Sequence, residues 1–371
     1  MGRFLTIVIA LSGVSVGCGR LGFDDMGPGA KPAGNVIQTG PGTTIGPTPA
    51  TTVQVCATSS FTTPLVAGVD DLDLAVAVTT AGPSLFGVDK AGGNLLGMEL
   101  AGEFATTASA PKVVNNGNFS ATSASYVAGK TIAAAMSGTT IVVQMVPPGL
   151  SNPTTFGMLD GMYVSKNTMS LANGNRITPT SCSSGLTVNP FDTSWNPVAS
   201  QLSVTTSQST GITSTAFGTD AMVVWSTTSS CHLERVINFG TGSGGMTNSP
   251  CSSPRIAANV ATSTGMLAFE AADGIHTSTF SANAFGASTP LIAPNGTSPR
   301  IVFDGTSYWV AYVEGNGVLA VGFIDASGKL QATVTDLTAR RDAFELTTVN
   351  GNVWVVAADH TGVAAREICV Q

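Results

Sequence analysis

Beyond about residue 60, apolar positions come in short runs of strand length, separated by Gly, Ser, Thr, Asn and Asp. The clearest runs are Met222-Val223-Val224-Trp225, Met266-Leu267-Ala268-Phe269, Trp309-Val310-Ala311-Tyr312 and Val353-Trp354-Val355-Val356. Each is followed by another apolar segment, at 233–239, 275–280, 318–324 and 363–370. Ahead of two of them stands one tetrapeptide: Ser253-Pro254-Arg255-Ile256 recurs as Ser298-Pro299-Arg300-Ile301, 45 positions later. About the same interval leads back to Ile212 and forward to Phe344. A period of ~40 to 50 residues holding several short strands is the pattern of a propeller blade.

The N-terminal half follows the plan less clearly. Thr131-Ile132-Ala133-Ala134 and Ile141 to Met145 are later strands of a unit starting near Ala124; 72–78 and 84–88 belong to one starting near Leu65. Between them and Ile212 there is room for a unit near Thr168, whose strands are faint and whose main signal is the turn Asn173-Gly174. Starts near 65, 124, 168, 212, 256, 301 and 344 predict an all-β, seven-bladed β-propeller. Six blades is the competing count, with the segment near 168 as an irregular insertion.

The last unit ends at Gln371 only about three strands in. The segment Val53-Gln54-Val55-Cys56 is predicted to supply the missing outer strand, because pairing the two termini removes an exposed edge. Cys56 and Cys369 then lie on neighbouring strands and are predicted to form a disulfide. It would close a loop of about 300 residues, for which chain-entropy reasoning gives upwards of ~4.7 kcal/mol before strain. Cys231 and Cys251 are the second predicted pair, with Cys182 left over; pairing of Cys182 with Cys231 is the rival arrangement. No Cys/His cluster has zinc-ligand spacing, so no metal is expected.

The first residues read differently. Arg3 gives a short positive n-region, Phe4 to Val16 is apolar, and small Gly17 precedes Cys18. That is the shape of a signal peptide, with a core shorter than the ~20 residues of a membrane-spanning helix. Ser15-Val16-Gly17-Cys18 resembles the lipobox of bacterial lipoproteins, with Ser15 where that motif usually has an aliphatic residue. The resemblance implies cleavage before Cys18 and acylation of its thiol; ordinary secretory cleavage nearby is the alternative. Gly19 rather than Asp after the cysteine implies the outer membrane by the same resemblance. Residues 19–52 are rich in Gly, Pro, Thr and Ala and too poor in apolar bulk to fold, so they read as a flexible stalk ahead of a propeller at 53–371.

Charge narrows the partners. The chain has a formal net charge of -7, and no basic run exceeds Arg340-Arg341, which argues against nucleic acid. Ala124 to Thr131 matches the loose form of a phosphate-binding loop, but it lies inside a β repeat rather than between a strand and a helix, so no nucleotide is expected. No other cofactor is indicated.

The candidate binding residues are four. His232 and His276 each stand 20 positions after their unit's start and so occupy matching places on adjacent blades; half-buried strand histidines are the plainer reading. Glu270 and Glu314 end the second strands of adjacent units, and catalytic carboxylates of a glycosidase must approach within ~5 to 10 Å; solvated strand ends are the plainer reading there. Asp89-Lys90-Ala91-Gly92 and Asp325-Ala326-Ser327-Gly328 are hairpin chemistry, with Asp opening the turn and Gly accepting positive φ.

Taken together, the leader and the repeats resemble the propeller lipoproteins of Gram-negative bacteria, without the WD dipeptide of WD40 blades or an in-register kelch double glycine. The resemblance implies an envelope-anchored platform that binds an unidentified protein or glycan. A carbohydrate-active enzyme with carboxylates at the channel, and a structural envelope component without a ligand, are the other two classes.

Overall fold

The computed structural model describes residues 52–371 apart from 62–71, 90–92, 101, 103, 105–108, 161–162, 165–168, 171–174, 183–184, 199–200, 206, 208, 210, 238–239, 248, 338–343 and 360–361. Cys18 and the expected leader and stalk therefore lie outside the described residues, as do Leu65, Asn173-Gly174 and His360.

Seven small antiparallel sheets form the ring, and in five of them four strands follow one another in sequence as a meander. The first runs from Leu72–Thr79 to Lys112–Asn115 and the second from Ala121–Val127 to Thr154–Asp160. The fourth runs from Gly211–Phe217 to Gly240–Met246, the fifth from Ser252–Asn259 to Leu291–Pro294, and the sixth from Thr297–Phe303 to Leu330–Leu337. The third is irregular: two strands of two residues each, Tyr163–Val164 and Met169–Ser170, share the edge of Arg176–Cys182, followed by Gly185–Phe191 and Leu202–Thr205. Seven blades, not six, is the count, and the faint unit near 168 is a blade with a broken first strand.

The seventh blade closes the ring. Phe344–Val349, Asn352–Asp359 and Gly362–Val370 are joined by Val53–Phe61, which pairs antiparallel with the C-terminal strand from Val53↔Val370 to Phe61↔Val363. Gln54 sits opposite Cys369, and a bulge after Val55 places Cys56 where it bonds Cys369, with Cα atoms 6.1 Å apart. Both outer strands of this blade are thus covalently tied. The second predicted pair is also present: Cys231 bonds Cys251 across 5.3 Å between Cα atoms, linking the third strand of blade four to the segment leading into blade five.

The core is divided among the seams between blades. Strand side chains alternate between the two faces of a sheet, so each blade offers one apolar set to the blade before and another to the blade after. Leu74, Leu85 and Met98 of blade one pack on Trp354 and Val356 of blade seven, whereas Ala75, Phe86 and Val88 face Ala133 and Ala135 of blade two. The same interlock recurs around the ring, for example Met266 and Ala268 on Val310 and Tyr312 between blades five and six.

The repeated Ser-Pro-Arg-Ile is a bulge that opens the first strand of blades five and six. The ladder slips between Ser252 and Arg255 and again between Thr297 and Arg300, with Ser253 and Ser298 held at φ of 49° and 57°. Such left-handed conformations are strained for a residue with a Cβ and need outside support. Glu270 supplies it: its carboxylate accepts the backbone N–H of Ser298 and, at 3.2 Å, the hydroxyl of Ser253. The loop-like match at Ala124–Thr131 is a hairpin, two strands joined by the turn Ala128-Gly129. In the turn at Asp325, the carboxylate accepts the N–H groups of Ser327 and Lys329 at 2.8 and 3.0 Å, and Gly328 takes φ of 87°, as the turn chemistry predicts.

Candidate functional site in the central channel

Arg255, Arg300 and Glu345 are 45 positions apart in sequence, and the ladders turn that spacing into geometry. They pair with Ala268, Ala311 and Val356, at matching places on the second strands of blades five, six and seven. All three therefore stand on the innermost strands at one level. The corresponding place in blade four is Thr213, paired with Val224.

Around this level the first strands enclose a cavity of about 170 Å³. Arg255 and Glu345 are its charged lining residues; Thr213 and Thr347 are its polar ones, and Ile256, Ile301, Val302 and Leu346 with small alanines form the apolar wall. Polar atoms make up more of the cavity's exposed lining than apolar ones. Six of the seven blades contribute to the lining.

The charges are braced from behind. Arg300 is 6% exposed, stacks its guanidinium 4.8 Å over the Phe344 ring, and donates Nη1 to the Pro299 carbonyl at 3.0 Å. Its Nε forms an ion pair with Glu345 Oε1 at 3.4 Å without hydrogen-bonding it, and that oxygen accepts the Leu346 N–H at 3.2 Å. Arg255 repeats the arrangement one blade earlier, with Nη1 on the Pro254 carbonyl at 2.9 Å. The proline carbonyl of each Ser-Pro-Arg-Ile thus orients the arginine that follows it.

The histidines do occupy matching positions, each directly across the ladder from an aromatic: His232 stacks on Trp225 at 5.3 Å and His276 on Phe269 at 5.6 Å. Trp225 belongs to the seam of blades three and four, Phe269 to the seam of blades four and five. The two imidazoles are therefore set in different seams. His232 bonds Ser230 at 3.0 Å, and burial lowers its pKa; His276 bonds the Thr289 carbonyl and the Asp273 carboxylate at 2.9 and 2.8 Å. The Asp273 pKa is lowered, chiefly by that bond to His276.

Glu270 braces the bulges described above, while Glu314 caps a tight turn, its carbonyl accepting the Gly317 N–H at 2.8 Å and its Oε2 the Asn316 amide at 3.3 Å. Neither lines the channel cavity. Glu314 and, more strongly, burial push the Tyr312 hydroxyl up to about 12. Among the described residues no group of three or more His, Cys, Asp or Glu side chains is placed to hold a metal ion. Nor, among them, is any helix long and apolar enough to cross a membrane.

One further ionisable group stands out. Glu234, opposite Val223 on the face toward blade three, is pushed by burial to a pKa of about 7. Its partner across the ladder is Gly244, where a Cβ would come within 2.6 Å of the carboxylate.

The residues missed in sequence were Glu345 and the site role of the two arginines. Their common spacing was the available signal, but the change from Arg to Glu at the third step hides it from any search for repeated letters.

No protein-family model and no curated protein matches the chain. Among solved structures it is similar to hydrazine synthase of Kuenenia stuttgartiensis, with TM-score 0.60 and 10% identity over 81% of this chain and 97% of that one. It is similar to virginiamycin B lyase from Staphylococcus aureus, with TM-score 0.56 and 11% identity over 86% and 99% of the two chains. A third likeness is to BBS1N, solved in complex with ARL6DN, with TM-score 0.57 and 9% identity over 86% and 97%. Two enzymes and a protein-binding module share the architecture, so these likenesses define the chain as a seven-bladed β-propeller and leave its activity to its own residues.

Proposed function

We propose that the protein is an envelope lipoprotein, tethered through acylated Cys18, whose propeller is a rigid platform for binding another envelope protein or a glycan. The observation that carries this reading is the way the ring closes. The chain joins the ring at Val53, on the outermost strand of the last blade, and that strand is fixed to the C-terminal one by the Cys56–Cys369 disulfide. A pull on the tether would thus load a covalently latched rim. Disulfides persist in oxidising compartments outside the cytosol, which agrees with the leader sequence. A ring that carries connecting loops on its two faces is suited to recognition.

The test is fractionation of cells producing the full chain and its Cys18→Ala variant, followed by glycan-array and envelope cross-linking assays on the purified protein. The native chain is expected in the membrane fraction with an acyl adduct, and the variant without one. An unacylated native chain in the soluble fraction would contradict the anchor. Failure to retain any glycan or cross-link any envelope protein would contradict the platform.

A further inference from the structure

We infer that the Cys56–Cys369 disulfide is a site of thiol–disulfide exchange, at which an external dithiol opens the latch of the ring while the second disulfide stays closed. This goes beyond the platform reading and is independent of the anchor. Three observations carry it. The two disulfides differ in access: Cys56 is exposed and Cys369 half-buried, whereas Cys231 and Cys251 are 0% and 5% exposed. They differ in cover. Cys56 is the extra residue of a bulge on Val53–Phe61, the outermost strand of its sheet, and among the described residues no further strand pairs outside it. Cys231 and Cys251 pack instead with Phe217, Leu233 and Phe269 in the seam of blades four and five. They differ, finally, in what they hold: one joins residues 20 apart in neighbouring blades, the other joins residues 313 apart on the two strands that close the ring.

The exchange balances with a dithiol as the reductant. One thiolate of the dithiol attacks Cys56 Sγ, the sulfur open to solvent, and the bond to Cys369 breaks with Cys369 leaving as a thiolate. The second thiol then attacks the reductant's own sulfur in the mixed disulfide, so that Cys56 leaves in turn and the reductant closes to a disulfide. Two electrons pass to the cysteine pair, and the two protons of the dithiol end on Cys56 and Cys369. Access to the attacked sulfur governs the rate of such exchange, and exposed disulfides are the labile ones. Cys231–Cys251 offers no sulfur to an attacking thiolate until its seam opens. After exchange the outermost strand keeps its eight ladder pairs with Gly362–Val370 but loses its covalent tie, and with it the chain-entropy advantage of a closed loop. The strand is then free to peel from the ring, so exchange at this one site controls how firmly the last blade is shut.

The test is a time course on the folded, full-length protein with dithiothreitol and no denaturant, quenched with iodoacetamide and read by peptide mass spectrometry, with far-UV circular dichroism to follow the fold. Cys56 and Cys369 should become alkylated at least roughly tenfold faster than Cys231 and Cys251, with the circular dichroism unchanged. With glutathione, a monothiol, the trapped mixed disulfide should sit on Cys56. Amide exchange in Val53–Phe61 should rise once the latch is reduced. The double change Cys231→Ser and Cys251→Ser should leave the rate of latch reduction as it is; if that variant does not fold, the native time course decides alone. Equal rates at the two pairs, a latch reduced only in denaturant, glutathione carried on Cys369, or unchanged amide exchange in Val53–Phe61 after full reduction would each overturn the inference.

Discussion

The third and sixth blades are built on one plan and filled with different matter. In the sixth, the second and third strands bury Trp309, Val310, Ala311, Tyr312 and Val321. In the third, the face toward blade two buries Thr178, Thr180, Thr187 and Asn189. Asn189 donates to the Thr178 carbonyl and the Thr180 hydroxyl at 3.0 and 2.9 Å, and the Thr180 and Thr187 hydroxyls meet at 3.1 Å. Asn189 Oδ1 is left buried without a partner. A hydrogen bond contributes a net ~0.5 to 1.5 kcal/mol and a buried aliphatic or aromatic side chain ~1.5 to 3. The third blade, whose first strand is also broken in two, is therefore the weak arc of the ring. What the contrast teaches is that a closed ring tolerates such an arc, because its neighbours on both sides are fixed in turn by theirs.

The comparison is broken most forcefully from the strong side. Trp309→Ala, in a well-packed blade, should cost about 3 to 5 kcal/mol by denaturant unfolding; a loss under about 1 would mean the sixth blade is not the firmer. Next comes the latch. The double change Cys56→Ser and Cys369→Ser should cost about 2 to 5 kcal/mol and should speed amide exchange in the third blade as well as the seventh, since opening the ring frees the weak arc. Exchange changed in the seventh blade alone would separate the two. In the third blade itself, Asn189→Ala removes the two hydrogen bonds its amide donates, to the Thr178 carbonyl and to a Thr180 hydroxyl that keeps Thr187, and should cost about 1 to 3 kcal/mol, whereas Thr180→Val, Thr187→Val and Asn189→Leu together, which remove all three side-chain partners at once, should come closer to neutral.

The smallest effect is one of pH, at the seam of the third and fourth blades. Glu234 has its folded-state pKa raised from 4.5 to about 7 by burial. The folded state then holds the proton more tightly, so its stabilising contribution is full below about pH 4.5 and is lost as pH rises through about 7. The melting midpoint should fall across that window, and Glu234→Gln should flatten the fall. An identical pH profile in the variant would remove Glu234 as the cause.

Sequence made these blades legible in proportion to their apolar content. Blades four to seven announce themselves through runs such as Met222 to Trp225, because an inner strand pressed from both faces becomes a continuous apolar run. The third stayed faint for the reason it is weak: Thr178, Thr180, Thr187 and Asn189 look like surface residues, and only the structure shows that they satisfy one another inside a seam. Ring closure and its Cys56–Cys369 disulfide were readable because an incomplete last unit and a cysteine at each end call for the same pairing, whereas the sequence left Cys231 open to Cys251 or Cys182. The tetrapeptide Ser-Pro-Arg-Ile was readable as a repeat, but not as a bulge with a left-handed serine, since φ leaves no mark on a residue that is not glycine. Glu270, a candidate for catalysis in the sequence, turned out to brace that bulge. The channel trio was hidden by its own chemistry, Arg, Arg and then Glu, while the matched histidines were visible and are parted by the blade between their seams.

The most direct test of the whole account is mass spectrometry of the native, non-reduced protein extracted from cells. A mature N-terminus at Cys18 bearing acyl chains, together with a cross-linked peptide joining Cys56 to Cys369, is the predicted result. An unacylated N-terminus elsewhere, with both terminal cysteines free to alkylate, would contradict the anchored and latched ring.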